Sequence, residues 1–133
     1  MPSATIVHRS SAHSAYATSS GKVLLAGMGD EEVRELLSRI GMPARTPNTI
    51  TDPDAFIEQL AQVRNTGSAF EVEEMEIGVQ CVAVPVPSDE VRLALSMSAP
   101  SARMSPEVSE RAVELMRETA IAVAKDLTRQ AAR

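Results

Sequence analysis

The spacing of apolar residues changes twice along this chain, and those two changes limit its fold more than any other feature. From Thr18 to Gly67 apolar residues recur at the three- and four-residue intervals of helices. From Ala69 to Ala99 they alternate as in strands, and from Ser105 the helical interval returns. The resulting order is helices, then strands, then one long helix. That order belongs to an α+β domain rather than to a wound α/β sheet.

The punctuation agrees. Residues 1–17 carry no clear period and are expected to form an irregular or partly extended lead-in. Residues 18–28 read as a short helix, with Thr18 or Ser19 able to cap it by accepting from a first-turn amide. Val33, Leu36, Leu37 and Ile40 share one face of a second helix, for which Gly41 supplies a left-handed stop. Residues 43–50 are a loop. Asp52-Pro53 then pairs a capping carboxylate with a proline at the first helical position. The helix that follows reaches about Asn65, buries Phe56, Leu60 and Val63, and closes at Gly67. Residues 69–75, 79–86 and 91–99 read as strands whose short connections make them antiparallel neighbours. Ser105-Pro106 opens a helix to about Arg129, with Val108, Ala112, Leu115, Met116, Thr119, Val123 and Leu127 as its apolar stripe. Three strands make a thin sheet, so other strands, from a parent protein or another subunit, are expected to complete it.

Composition removes several functions. The 133 residues suffice for one domain, which buries roughly two-thirds of its unfolded surface. With no Trp, one Tyr and two Phe, stacking platforms for single-stranded nucleic acid or sugars are excluded, and the core falls to Val, Leu, Ile, Met and Ala. The seven methionines suit either an adaptable pocket or filler in that aromatic-poor core. A net charge of −5 with scattered Lys and Arg argues against direct binding to phosphates. The single Cys81 rules out an internal disulfide and a multi-cysteine zinc site, and neither a metal nor a cofactor is implied. No export signal and no membrane-spanning apolar run occur, which points to the cytoplasm.

The strands hold the candidate chemistry. In residues 92–99, Leu93, Leu95 and Met97 point one way and Ala94, Ser96 and Ser98 the other; in the preceding strand Cys81 and Ala83 oppose Gln80, Val82 and Val84. If the small sides match, the sheet has one bulky face and one shallow face bearing hydroxyls. Such a face leaves room for a ligand and supplies hydrogen bonds; the alternative is a helix packed closely against it. Thr18-Ser19-Ser20-Gly21 at a helix start forms either an anion site or an ordinary cap. Cys81 with His8 or His13 as base would be a nucleophile only with a lowered pKa and a base in reach. The run Glu71, Glu73, Glu74, Glu76 is expected to be a solvated strand and turn. Alternation sets Glu71 and Glu73 against Glu74, so at least one can turn inward.

Several segments together resemble the IclR (isocitrate lyase regulator) family of transcription factors. Ala17-Thr-Ser-Ser-Gly-Lys-Val-Leu-Leu-Ala26 is similar to the family's His-Ala-(Thr/Ser)-x-x-Gly-Lys-Ala-x-Leu-Ala, and Thr49-Ile-Thr-Asp-Pro53 to its Thr-Ile-Thr-Asp-Pro. Residues 62–70 resemble Val-Arg-x-x-Gly-Tyr-Ala, and residues 73–86 resemble Glu-Glu-x-x-x-Gly-Val-Arg-Cys-x-Ala-x-Pro-Val. Residues 93–100 and 103–107 resemble the family's Ala-x-Ser-(Val/Ile)-Ser-Gly-Pro and Arg-(Leu/Ile)-Ser. The six segments occur in family order.

The resemblance implies a GAF-like domain, an antiparallel sheet of six strands flanked by helices with a long C-terminal helix. It implies no catalysis, binding of a small organic or aromatic acid effector, and assembly as a homo-oligomer, dimer or tetramer. DNA would be contacted only by a separate winged helix-turn-helix domain, not by this chain. Residues 1–133 are expected to be a partial effector-binding domain, without the DNA-binding domain, linker helix, opening helix and hairpin. Matched to the family's motifs, the ligand positions are Ser19, Ser20, Glu71, Cys81, Ser96 and Ser98. Gln80 stands where Arg is usual, beside the pocket, Tyr16 where His is usual, Glu71 where Asp is common and Ala99 where Gly is common. The alternatives are a dimerisation remnant without ligand and a thiol-dependent enzyme on a GAF-like scaffold.

Overall fold

The computed structural model describes residues 12–89 and 91–132. A 3-10 helix, Ala12–Ala17, leads into α1 (Ser19–Ala26), α2 (Asp30–Ile40) and α3 (Pro53–Thr66). Strands β1 (Ala69–Val72), β2 (Val79–Pro85) and β3 (Ala94–Pro100) follow, then a 3-10 turn, Ser101–Arg103, and α4 (Pro106–Ala131). The strands form one antiparallel sheet in the order β1-β2-β3.

Local chemistry places the helix ends. Thr18, Asp52 and Ser105 each accept from an amide in the first turn of α1, α3 and α4, and proline holds the first position of the last two. Gly67 ends α3 in the left-handed conformation; Gly41 ends α2 with positive φ (74°) but an extended ψ (173°), so it is not a left-handed helical stop. The lead-in is more ordered than its sequence suggests: residues 12–17 are helical, and Ala15, Tyr16 and Ala17 are buried. Tyr16 Oη donates to the carbonyl of Pro43 at 2.5 Å, holding the lead-in against the loop.

The sheet separates two apolar clusters. On one side the 3-10 helix, α1, α2 and α3 close over Ala69 and Ala83; on the other α4 closes over Val82, Val84 and Val86. Register explains the division, because Ala69, Ala83 and Ser96 lie abreast on one face while Phe70, Val82 and Met97 lie abreast on the other.

Three further expectations need correction. The buried stripe of α4 is Ser109, Ala112, Val113, Met116, Ala120 and Ala124, while Val108 and Leu115 are 38% and 46% exposed and Thr119 also faces out. Small side chains let the helix approach the sheet, and the larger ones are left on its flank. β1 ends at Val72 rather than Met75, because Glu73 takes a positive φ of 54° and turns the chain out of the ladder. β3 begins at Ala94 rather than Val91, since Val91, Arg92 and Leu93 are exposed, although Leu93 still accepts from Val86 N. Methionines act as filler: Met28, Met42 and Met75 pack on the first cluster, and Met97, Met104 and Met116 belong to the second.

Candidate functional site

The small-residue face is where chemistry collects. Cys81 and Ser98 are direct cross-strand partners, and the hydrogen bond of Val86 N to Leu93 O makes their pair one of the closer, non-hydrogen-bonded ones. Their side chains meet accordingly, Cys81 Sγ lying 3.1 Å from Ser98 Oγ. On its other side Cys81 is paired with Glu71, whose carboxylate is within hydrogen-bonding reach of the thiol. Ser96 lies two residues along the same face, opposite Ala83. Cys81, Ser96 and Ser98 are half-buried, whereas Glu71 is only 2% exposed.

Ser19 and Ser20 start α1, which crosses this face against all three strands. Thr18 Oγ1 takes the amide of Gly21 at 3.1 Å, so the local geometry there is that of an ordinary cap. The preceding 3-10 helix can lie so close to α1 because residue 21 is glycine; a Cβ there would run into the backbone of Ala15.

Sequence reasoning missed the ion pair beneath this site. Lys22 is fully buried, and its Nζ donates at 2.8 Å to both carboxylate oxygens of Glu74 and at 3.4 Å to the carbonyl of Phe70. A lysine within the octapeptide Ser19–Ala26, otherwise without charge, was the available signal, since a charge buried with an apolar helix must find a partner. Glu74 was expected to face away from Glu71. Both are buried, because the turn at Glu73 cancels the alternation. Glu71 Oε2 accepts from Glu74 N at 3.0 Å, and Thr49 Oγ1 donates to Glu74 O at 2.6 Å. Thr46 Oγ1 likewise donates to Glu73 O, so the loop of residues 43–50 is fastened to the end of β1.

Electrostatics follow from burial. Burial pushes the Glu71 carboxyl above the usual range, and the Glu74 charge adds to it, against the Glu74 N–H, Lys22 and the Cys81 thiol. Burial also pushes the Cys81 thiol up, with Glu71 adding and Ser98 opposing. That is the reverse of what a nucleophilic thiolate requires. Of the two proposed bases, His8 lies outside the described residues and His13 is an exposed residue of the first 3-10 helix. Among the described residues no group of three His, Cys, Asp or Glu is placed to hold a metal ion, and no helix is long and apolar enough to cross a membrane.

Gln80 lies where alternation places it. It shares the α4 face with Val82, so the change from arginine does not alter the charge of the face that carries Cys81. Two surface cavities lie elsewhere. One of about 420 Å³ lies between Pro87 and the last turns of α4, and one of about 230 Å³ runs along α3 and the start of β1. Neither is lined by the six candidate ligand residues.

An antiparallel sheet with a polar, small-residue face under one short helix and a long helix behind it is an α+β domain organised around that face. Comparison with known proteins identifies the kind. The profile of the family described as bacterial transcriptional regulator IclR C-terminal matches residues 6–125. The chain is 37% identical over 114 residues to the HTH-type transcriptional regulator XynR of Escherichia coli, covering 84% of this chain and 45% of XynR. It is 35% identical over 119 residues to the Pca regulon regulatory protein of Pseudomonas putida, covering 87% and 40%. Among solved structures, the inducer-binding domain of a PobR double mutant from Acinetobacter, in complex with 3-hydroxybenzoic acid, superposes with a TM-score of 0.78 at 35% identity, covering 83% of this chain and 65% of that one. The C-terminal domain of E. coli KdgR superposes with a TM-score of 0.77 at 36% identity, covering 84% and 69%.

The chain therefore belongs to the IclR family of bacterial transcriptional regulators and corresponds to their C-terminal domain. It spans less than half the length of the curated relatives it matches.

Proposed function

We propose that this chain is the effector-sensing part of a cytoplasmic IclR-family regulator, that it binds a small organic or aromatic acid, and that it catalyses nothing. The observation that carries the reading is the contiguous Glu71–Cys81–Ser98 group on a face otherwise lined by alanine and serine. Ser96 and Ser98 offer hydroxyls to the ligand's oxygens, and Cys81 offers a small, polarisable wall. Glu71, with its pKa raised, takes up a proton more readily than an ordinary carboxyl and then donates to a ligand oxygen. Ser19 and Ser20 contribute from the start of α1. The bound state is passed to a separate winged helix-turn-helix domain, which alone touches DNA, within a homo-oligomer. The relative PobR, whose domain was solved with 3-hydroxybenzoic acid, supports the choice of ligand class.

The test is a thermal-shift screen of this chain against small aliphatic and aromatic acids, 3-hydroxybenzoate included. A ligand present at 100 times its dissociation constant adds about 2.7 kcal/mol to stability. Ser98→Ala should weaken a hit by roughly 5–10-fold, the worth of about one hydrogen bond, without loss of fold. A flat screen on a cooperatively folded protein, or a hit indifferent to both Ser96→Ala and Ser98→Ala, overturns the reading.

A further inference from the structure

Glu71, Cys81 and Ser98 lie abreast on the three strands, so their side chains form one row across the sheet. The row runs from the interior outward, since Glu71 is 2% exposed and Ser98 is half-buried. The Cys81 thiol is within hydrogen-bonding reach of the Glu71 carboxyl on one side. On the other, Sγ lies 3.1 Å from Ser98 Oγ, and either atom can donate. Among the described residues the ionisable groups facing Glu71 are Glu74, Lys22 of α1 and Cys81 of β2. Glu74 N–H donates to Glu71 Oε2, and the Glu74 carboxylate holds Lys22. The thiol is therefore the Glu71 partner left able to turn.

A thiol has one hydrogen to give, and an ionised carboxylate can only accept. While Glu71 is ionised, the S–H points to it, and Ser98 must give its own hydrogen to Sγ. Ser98 Oγ then shows only lone pairs to the open face of the sheet. A protonated Glu71 is a weaker acceptor and a donor in its own right, so the S–H turns to Ser98 Oγ and frees the serine hydrogen. Burial raises the Cys81 pKa, which keeps the thiol hydrogen in place while Glu71 titrates below it. We propose that Glu71, Cys81 and Ser98 form a relay in which a proton taken by Glu71 converts Ser98 from an acceptor into a donor toward a ligand. The proton comes from solvent and stays on Glu71; along the row only the directions of the hydrogen bonds reverse.

The relay sets which ligand group the face prefers. An ionised row accepts from a ligand hydroxyl, and a protonated row donates to a ligand carboxylate. An acid effector would therefore draw about one proton from solvent wherever the free protein holds Glu71 ionised. That consequence rests on the effector reading above; the relay itself does not.

The experiment follows the S–H stretching band of the unliganded 133-residue chain by Raman spectroscopy across pH, where its one cysteine gives a single signal. The band should move to higher frequency as pH falls through the Glu71 transition, because a charge-assisted bond gives way to a neutral one. Glu71→Gln should remove that shift. Ser98→Ala should leave the band nearly unchanged at the alkaline end and raise it further at the acid end, where the thiol has lost its new acceptor. If Glu71→Gln fails to fold, the two ends of the Ser98→Ala titration decide alone. A band that ignores pH, one that shifts equally in Glu71→Gln, or a Ser98→Ala effect equal at both ends overturns the relay. Calorimetric titration with 3-hydroxybenzoate in buffers of different ionisation enthalpy keeps the readings apart. Above the Glu71 transition its affinity should fall ~10-fold per pH unit, with about one proton taken up. Binding without proton uptake overturns the coupling and leaves the effector reading standing. A band that behaves as expected in a chain that does not bind the acid supports the relay and counts against the effector reading alone.

Discussion

Replacing Lys22 with methionine keeps the apolar stem of the side chain and removes its charge. The ammonium it removes is fully buried and bonded to both oxygens of Glu74, itself only 7% exposed. The variant leaves a buried carboxylate facing no cation, a situation that costs about 3–5 kcal/mol in comparable pairs. Phe70 O also loses a donor, though at 3.4 Å that bond is weak. Against a total of roughly 5–15 kcal/mol for a domain, Lys22→Met should lower the melting temperature by roughly 10–20 °C. The partner change separates charge from packing. Glu74 holds Glu71 and Thr49 through its backbone N–H and C=O, so Glu74→Leu leaves those bonds in place. Lys22→Met combined with Glu74→Leu should then lie within about 2 kcal/mol of the parent, since apolar replacement of a whole buried pair is often neutral. Urea unfolding of all four proteins, extrapolated linearly, closes the cycle. A single-variant cost below about 1 kcal/mol, or a double variant costing the sum of the singles, refutes the claim that an unpaired charge sets the penalty.

Two further changes test the same region. Because the folded pKa of Glu71 is raised, the native state holds its proton longer, and stability should fall as pH rises from the ordinary carboxylate range to that raised value; Glu71→Gln should remove this part of the slope, and identical pH–stability curves for the two proteins would contradict it. Gly21→Ala gains helix propensity of about 1 kcal/mol but drives a methyl into the Ala15 backbone, so a net loss of roughly 1–3 kcal/mol is expected in thermal unfolding, and a stabilised variant would show the packing to be looser than described.

What could be read from the sequence is what local chemistry decides. The caps at Thr18, Asp52 and Ser105 need only the next three residues, and the matched small faces of β2 and β3 need only alternation and a short turn. The stripe of α4 was misread because periodicity favoured large residues such as Leu115, while the sheet selected alanines that permit close approach. The end of β1 was misread because Thr46, Thr49 and Glu71 compete for the backbone of Glu73 and Glu74, and two of these lie more than twenty residues upstream. Lys22 stands as a lone charge in an apolar helix, but Glu74, 52 residues away in an acidic run, carries nothing local that pairs the two.

These nonlocal bonds bear on how a ligand at Glu71 would be felt elsewhere. Glu71 is bonded to the backbone N–H of Glu74, whose carbonyl holds the loop through Thr49 and whose carboxylate holds α1 through Lys22. If Glu71 turns to a ligand oxygen, it releases or stretches its bond to Glu74, and both attachments must adjust or resist. Resistance is the stronger term at Lys22, where a charge-assisted, two-oxygen contact is worth more than the neutral bond at Thr49. The loop of residues 43–50 is also held at Pro43 by Tyr16 and at the end of β1 by Thr46, so both it and α1 have anchors that do not pass through Glu71.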